Sequence, residues 1–193
     1  MSATDASPRV APLQPPHEPG LAEQLARWMP PGADVEPLAL FRTLYHHAEL
    51  AARMRPLGAG ILGRHATVPV ELRELMIDRT CALTGAEYEW GVHAAAFGAL
   101  AGLDEERLHA TVRGGSQRSC WDRRQRLVLS LAEELHETST ISAALWAELQ
   151  QEFTVEQLIE LIVTAGWYHV IAYVCNGLAV PLEPWALRFP EAA

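Results

Sequence analysis

Apolar side chains recur at helical spacing along almost the whole chain from Leu21 onward. They repeat three and four residues apart, and no segment shows the strict alternation typical of a half-buried strand. The pattern predicts an all-α protein. The predicted helices cover residues 21–29, 36–54, 69–84, 87–101, 104–113, 122–138, 142–151 and 155–176. The glycine-rich stretch RPLGAGILGRHATVP, which lies between the second and third of them, is predicted to be a loop.

Several predicted helix boundaries carry residues that satisfy free backbone groups. Pro69 suits a first helical turn, and Gly85 suits the end of a helix. Thr154 and Gln157 have the spacing of a capping box, and they open the longest apolar stretch of the chain. We therefore expect residues 155–176 to form the central helix of the protein.

The first twenty residues differ in composition from the rest of the chain. They contain five prolines and few large apolar side chains, which are too few to offset the cost of ordering the segment. We expect residues 1–20 to form a flexible Pro-rich arm, either free or laid on a partner. Residues 21–193 have the length of one domain around a single core.

Composition and charge argue against several classes of function. Of 193 residues, 49% are hydrophobic and 20% are charged, as in globular proteins. A net charge of −9, with basic residues that form no continuous stripe, argues against nucleic-acid binding. Three widely spaced cysteines suit a reducing cytoplasm. The most apolar run, Leu158–Leu182, contains Glu160 and His169, so we expect a buried helix rather than a membrane span.

The stretch EYEWGVH, residues 87–93, begins the second helix of a predicted antiparallel hairpin. Glu89 and His93 are four residues apart and therefore share a face of that helix. Glu74 lies about eleven residues before the turn and His93 about eight after it. At about 1.5 Å per residue, their levels along the hairpin differ by about 5 Å. We therefore expect Glu74 and His93 to approach each other across the hairpin.

A histidine between two carboxylates can transfer protons near neutral pH. One carboxylate fixes the tautomer and stabilises the imidazolium, while a second one in a partly dry cleft has its pKa pushed upward. A structural interpretation stays open, in which Glu89 and His93 are an exposed helical pair worth roughly a few tenths of a kcal/mol. Glu74, Glu89 and His93 also have the composition of a two-carboxylate, one-histidine metal site.

The stretch RELMIDRTCALTGAEYEWGVHAAAFGALAGLDEERL resembles the carboxymuconolactone decarboxylase and alkylhydroperoxidase D superfamily. The matching features are the pair Arg73-Glu74 at the start of one helix, His93 nineteen residues after that Glu, and the continuation AGLDEE. The later FTVEQLIELIVTAGWYHVIAYVCNGLAVPLE resembles the C-terminal helix of the family. The resemblance implies an all-helical bundle around an antiparallel hairpin, a homo-oligomer (trimer or hexamer), and a small pocket near Glu74 and His93.

The chain departs from the peroxidase members of this superfamily at their Cys-x-x-Cys pair. Ala86 and Glu89 occupy those two positions here. Peroxide reduction needs an attacking thiolate and a resolving thiol, and Cys81 stands alone in an apolar segment. Disulfide-forming peroxidase activity is therefore not expected, although a residual thiol-dependent activity at Cys81 stays an alternative.

The decarboxylase members also lack the cysteine pair, and similarity to them implies acid/base chemistry without a metal or an organic cofactor. We predict a cofactor-free lyase or isomerase that acts on a small lactone or oxo-acid. His93 is assigned as the proton shuttle, Glu74 as its partner or the acid, and Glu89 as a second pocket carboxylate. Arg79 is the candidate cation that orients the substrate, and Tyr88 is the candidate phenolic donor. A non-catalytic assembly protein is a further alternative.

Overall fold

The computed structural model describes residues 7–30 and 35–191, and within these ranges it contains helices and no strands. The predicted all-α fold is confirmed. Its helices are α1 (Pro19–Ala26), α2 (Ala39–Leu44), α3 (Ala48–Ile61), α4 (Val70–Leu83), α5 (Glu87–Phe97), α6 (Glu105–Val112), α7 (Arg123–Thr138), α8 (Ala143–Glu152) and α9 (Val155–Leu178).

Helix α4, and not the longer α9, lies at the centre of the fold. It packs against α5, α6, α7 and α9, and most of its residues are buried. Leu72, Met76 and Arg79 lie on the face that meets α7, whereas Glu74 and Asp78 lie on the other face. Because α4 contains several polar residues, its central position could not be predicted from apolar runs alone.

Buried apolar side chains form two clusters, one on each side of α4. The sealed cluster joins α4 to α7, α8 and the first half of α9 and is centred on Leu75, Met76, Val128, Leu129, Leu131 and Leu149. The cavity cluster joins α4 to α2, α3, α5 and the second half of α9 and is centred on Leu40, Ile77, Tyr88, Trp167, Tyr168 and Ile171.

Helix α9 combines a buried face with an exposed apolar face. By length and composition it could cross a membrane, but 44% of its most apolar window is buried inside the domain, where it packs against α4 and α5. Thr154 and Gln157 form the predicted capping box at its start. Its outer face exposes Val155, Ile159 and Tyr173 to solvent. The packing is that of a core helix in a helical domain.

The region from α2 to α3 is divided, although the sequence predicts one continuous helix there. The predicted helix at 36–54 is interrupted at Tyr45–His47, which form a single 3₁₀ turn. His47 then caps α3, because its Nδ1 accepts a hydrogen bond from the backbone N–H of Leu50 at 3.3 Å. A local cap therefore divides what the apolar spacing presents as one helix.

The predicted loop over the glycine-rich stretch was wrong for its first half, because α3 continues through Pro56 to Ile61. Close packing at Gly58 helps to keep these residues helical. A Cβ atom at Gly58 would lie only 3.3 Å from the indole of Trp167, so the glycine lets α3 approach α9 closely. Tertiary packing stabilises this helix against the weak helix propensity of its glycines.

Residues 7–18 have no regular secondary structure and lie against the helical domain. The backbone N–H of Arg9 donates to the carbonyl oxygen of Leu178 at 2.9 Å, at the end of α9. Helix α1 begins inside the predicted arm, at Pro19. The flexibility of the arm and its boundary stay predictions, and residues 1–6 lie outside the described residues.

The segment after α9 returns to α5 and forms part of its surroundings. The N–H of Leu187 donates to the carbonyl oxygen of Gly91 at 3.2 Å. A Cβ atom at Gly91 would collide with the carbonyl oxygen of Leu187, so glycine is required for this contact. Glu183 accepts hydrogen bonds at 2.7 Å from the Tyr88 hydroxyl and from the N–H of Ala39, which ties α5, α2 and this segment together.

Candidate functional site

A chain of buried polar side chains crosses the α4–α5 hairpin. His93 Nδ1 and Glu74 Oε2 are 2.7 Å apart, and both side chains are almost fully buried. The other oxygen of Glu74 accepts hydrogen bonds from Arg73 Nε at 3.0 Å and Nη2 at 2.9 Å. Glu74 and His93 therefore meet across the hairpin, as the sequence predicts.

The second ring nitrogen of His93 faces two further polar groups. His93 Nε2 lies 3.0 Å from the hydroxyl of Tyr168, which belongs to α9, and 3.5 Å from Glu89 Oε1. Glu89 is 7% exposed, and its Oε2 has no hydrogen-bond partner among the described residues. The predicted pair of Glu89 and His93 is thus buried rather than solvated, and it includes one carboxylate oxygen that can accept from a ligand.

The charges on this chain of residues favour a protonated histidine. Burial alone would lower the pKa of His93, but the carboxylates of Glu74 and Glu89 outweigh it and raise the pKa to about 10. Burial likewise raises the pKa of Glu74, and the attraction of His93 and Arg73 overcomes this and lowers it. At neutral pH, His93 is therefore an imidazolium beside an ionised Glu74.

The protonation of His93 fixes the direction of its hydrogen bonds. An imidazolium has two N–H donors and no acceptor, so Nδ1 donates to Glu74 and Nε2 donates to the oxygen of Tyr168. The hydroxyl hydrogen of Tyr168 is then available for another acceptor. Burial, together with Glu89 and Glu74, raises the pKa of Tyr168 well above its usual value, so the phenol stays protonated.

Asp78 is a further buried acid beside this chain of residues. Both of its carboxyl oxygens are buried without a hydrogen-bond partner in the described part of the chain. Burial raises its pKa well above the usual value; His93 opposes the rise and Glu74 adds to it. Asp78 is therefore held as the neutral acid, which avoids a further buried negative charge beside Glu74.

A cavity of about 590 Å³ opens beside His93. Glu89, His93 and Tyr168 contribute polar groups to its wall, and Arg27 and Arg55 contribute cations. The rest of the wall in the described residues is mostly apolar and aromatic, as in Phe41, Phe97, Trp28, Trp167, Ile171 and Trp185. A small, largely apolar molecule fits such a space.

The assignment of Arg79 as an orienting cation was wrong in its placement. Arg79 lies on the face of α4 that meets α7, where its Nε and Nη2 contact Glu133 at 2.9 and 2.8 Å. Its Nη1 donates to the carbonyl oxygen of Thr111 at 2.9 Å. A residue five positions after Glu74 points to the other side of a helix, so Arg79 stabilises the α4–α7 contact and is not part of the cavity wall.

Tyr88 also lies away from the cavity, although it is buried. Its hydroxyl donates to Glu183 at 2.7 Å and accepts from the N–H of Leu40 at 3.1 Å. Its hydrogen-bonding capacity is therefore used in joining helices. The phenol that faces His93 belongs to Tyr168 instead, which the sequence analysis did not assign to the site.

The thiols near the site are poor nucleophiles. Cys81 is fully buried, and burial, together with Glu89 and Asp78, raises its pKa well above the usual value. Cys175 is buried as well, and burial and Glu89 raise its pKa. Neither thiol is part of the cavity wall. Thiolate formation at either position would require an unfavourable charge in a region that already holds carboxylates.

The described residues contain no group of three or more metal-ligating side chains with a geometry suited to a metal ion. The contacts of His93 explain why Glu74, Glu89 and His93 do not form such a group. Both of its ring nitrogens carry hydrogens that are engaged, Nδ1 with Glu74 and Nε2 with Tyr168, so neither nitrogen offers a lone pair to a metal ion shared with Glu89.

Comparison with solved structures establishes the fold. The debrominase Bmp8 in its C82A form, in complex with 2,3,4-tribromopyrrole, matches with a TM-score of 0.72 and 16% identity, over 91% of this chain and 92% of that one. Apo Bmp8 matches over the same shares, with a TM-score of 0.75 and 17% identity. An uncharacterized peroxidase-related protein from Silicibacter sp. TM1040 matches with a TM-score of 0.69 and 17% identity, over 77% of this chain and 78% of that one. The chain has the alkylhydroperoxidase D-like fold.

The sequence comparisons add nothing to this result, since no family model and no curated protein matches the chain. At 16–17% identity, structural likeness shows the alkylhydroperoxidase D-like fold and carries no activity from one protein to another. The function must therefore be argued from the residues around the cavity.

Sequence reasoning missed Tyr168, Asp78 and Arg55 for different reasons. Tyr168 comes from α9, and no spacing within the hairpin could indicate its position. Asp78 lies one turn after Glu74 on α4, so helical spacing alone could have placed it on the same face. Arg55 lies in a stretch that the glycines indicated to be a loop.

Proposed function

We propose that this protein is a proton-transfer enzyme, a cofactor-free lyase or isomerase that acts on a small lactone or oxo-acid. One observation carries the proposal: an imidazolium at His93 and an unpartnered carboxylate oxygen at Glu89 share the wall of an apolar cavity. An acid and a base are thereby present side by side in a mostly apolar cavity.

The roles follow from the hydrogen bonds around His93. A substrate carbonyl oxygen can accept the free hydroxyl hydrogen of Tyr168, whose own oxygen is held by His93 Nε2 at 3.0 Å. Glu89 then removes a proton from the carbon next to that carbonyl group. The electron pair of the broken C–H bond moves into the new C=C bond, and the C=O π electrons move onto the oxygen. Tyr168 and His93 stabilise the resulting enolate.

The same groups complete either reaction class. In an isomerisation, Glu89 returns the proton to a different carbon of the enolate, and no atoms are lost or gained. In a decarboxylation, the C–CO₂⁻ bond supplies the electron pair, CO₂ leaves, and the enolate takes a proton from the His93–Tyr168 pair. Glu74 stays ionised in both cases and keeps His93 oriented.

Other observations support the proposal over its alternatives. A non-catalytic assembly protein would be favoured by a site filled with side chains, and here a cavity of about 590 Å³ is open beside His93. A thiol peroxidase would need a reactive thiolate, and the pKa values of Cys81 and Cys175 are raised by burial. The debrominase neighbour holds 2,3,4-tribromopyrrole, a small and largely apolar ring, and this cavity suits a ligand of that size class.

Proton exchange tests the proposal without knowledge of the natural substrate. Cyclic lactones and oxo-acids would be incubated with the protein in D₂O, and loss of the C–H signal next to the carbonyl group would be followed by proton NMR. We expect exchange with at least one compound. Glu89→Gln and His93→Gln should each slow it by at least about 100-fold.

His65→Gln is the matched control, because His65 is an exposed histidine outside the cavity wall. This variant should exchange at the wild-type rate. Equal rates in wild type, Glu89→Gln and His93→Gln would reject the assigned roles. Loss of exchange in Cys81→Ser alone would instead support thiol chemistry.

Assembly and location stay predictions. A homo-oligomer, trimer or hexamer, is compatible with the exposed apolar face of α9, where Val155, Ile159 and Tyr173 are 72%, 58% and 68% exposed. Sedimentation velocity would measure the subunit number. A cytoplasmic location is an expectation from cysteine usage.

A further inference from the structure

We propose that the cavity takes an amphiphilic organic acid, whose carboxylate binds Arg55 while its apolar body lies between Arg55 and His93. The proposed function enters this inference at one point only, the choice of which end of the ligand reacts. Binding of the acid is a separate property and can be tested separately.

Arg55 is placed to hold an anion at the cavity wall. It lies on α3, is half-buried, and forms part of the wall together with Gly58 and Leu62. Its Nε donates to the carbonyl oxygen of Arg27 at 2.8 Å, which fixes the plane of the guanidinium. A fixed guanidinium binds a carboxylate through two parallel hydrogen bonds, and little conformational freedom is lost on binding.

The acidic residues near Arg55 do not neutralise it. No carboxylate among the described residues lies within ion-pair distance of its guanidinium. Glu49 lies beside Arg55 in a shallow surface groove, but it is bound by Arg53, with its Oε1 at 2.8 Å from Nε and 2.6 Å from Nη2. Arg55 therefore presents a positive charge to a cavity whose remaining wall is mostly apolar.

Arg27 is a weaker candidate for the same role. Its side chain is 60% exposed, and its Nη2 lies 2.5 Å from Oε1 of Glu23, four residues earlier. Solvent and that carboxylate both screen its charge. Arg27 contributes its backbone carbonyl oxygen as the acceptor that positions Arg55.

The charged groups on the cavity wall give the ligand a direction. Glu89 on α5 repels a carboxylate, and Arg55 on α3 attracts one, so an acid enters with its carboxylate toward α3. The group next to His93 and Tyr168 is then a carbonyl or another hydrogen-bond acceptor elsewhere in the molecule. It follows that the carboxylate bound by Arg55 is retained in the product, which favours isomerisation of an oxo-acid or lactone acid over loss of that carboxylate.

Phenylacetate and phenylacetamide are matched probes, because they have the same shape and differ in charge. Dissociation constants would be measured by ligand-detected NMR on the full chain at neutral pH. We expect phenylacetate to bind at least about tenfold more tightly than phenylacetamide. Arg55→Gln should remove this difference, and Arg55→Lys should keep part of it, since the charge remains and the planar fork is lost.

Arg64→Gln is the matched control, because Arg64 is exposed, follows α3 closely in the chain, lies outside the cavity wall and holds no carboxylate away from Arg55. It should keep the full preference for phenylacetate. Equal binding of the two probes by wild type, or an unchanged preference in Arg55→Gln, would overturn the inference. His93→Gln should lose proton exchange and still prefer phenylacetate. Exchange without a preference for the acid would defeat only this inference, and a preference without exchange would defeat only the proposed function.

Discussion

The two sides of α4 are built from the same kind of helices but differ in how tightly their side chains fill the space. The sealed cluster packs Leu75, Met76 and Leu129, which are all fully buried, whereas side chains of the cavity cluster border an open space of about 590 Å³. The buried chain that contains Glu74 and His93 lies on the cavity side. The difference indicates that the face of α4 toward α7 mainly supplies stability, whereas the opposite face holds the buried pair of Glu74 and His93.

Among changes to apolar side chains, the largest expected loss of folding stability comes from removing a side chain on each side. Leu129→Ala should lower the free energy of unfolding by about 3 kcal/mol, because Leu129 is fully buried and its neighbours cannot collapse into the space. Leu62→Ala should cost less than about 1 kcal/mol, since Leu62 is 37% exposed at the cavity wall. Urea denaturation measures both values, and equal losses would break the comparison.

A smaller effect is expected from adding a side chain on each side. Ala132→Leu should destabilise the sealed cluster by about 1–3 kcal/mol, because Ala132 is 1% exposed and the surrounding space is filled. Ala96→Leu places the same group at the cavity wall and should change the free energy of unfolding by less than about 1 kcal/mol. Thermal unfolding of the two variants tests this, and a larger loss in Ala96→Leu would contradict it.

The last comparison concerns the pH dependence of two histidines. The pKa of His93 is raised to about 10, so its protonated form stabilises the fold fully below about pH 6.5, and this contribution falls as pH rises toward 10. For His136, at the surface of α7, stability depends on pH in the opposite direction. Burial and His169 lower its pKa, so its contribution is lost as pH falls through that lowered pKa.

The histidine Cε1–H signals in proton–carbon NMR give the direct measurement. The signal of His93 should keep its imidazolium position at about pH 8.5, while that of His136 should already be neutral there. In Glu74→Gln the His93 signal should change to the neutral position at a lower pH, because the largest attraction to the imidazolium is gone. Titration of wild-type His93 near pH 6.5 would contradict the charge assignment.

Sequence patterns predict the sealed side better than the cavity side. Helices α7 and α8 begin and end within one or two residues of their predicted positions, because apolar spacing and caps such as Asp122 are local signals. The approach of Glu74 and His93 could also be predicted, since a tight turn fixes the register of the hairpin. The positions of Arg55 and Tyr168 depend on how α3 and α9 fold back onto α5, and no local spacing contains that information.

Gly91 limits which residues can occupy this position in related proteins. Alanine would favour helix α5 by about 1 kcal/mol over glycine, so helix formation alone would select against the residue found there. The carbonyl oxygen of Leu187 occupies the place of a methyl group at position 91, midway between Glu89 and His93. A larger residue would displace the returning backbone and move Trp185 from its place beside the cavity. The shape of the cavity thus restricts substitution at this position. A homologue that carries a side chain there should have a differently shaped cavity.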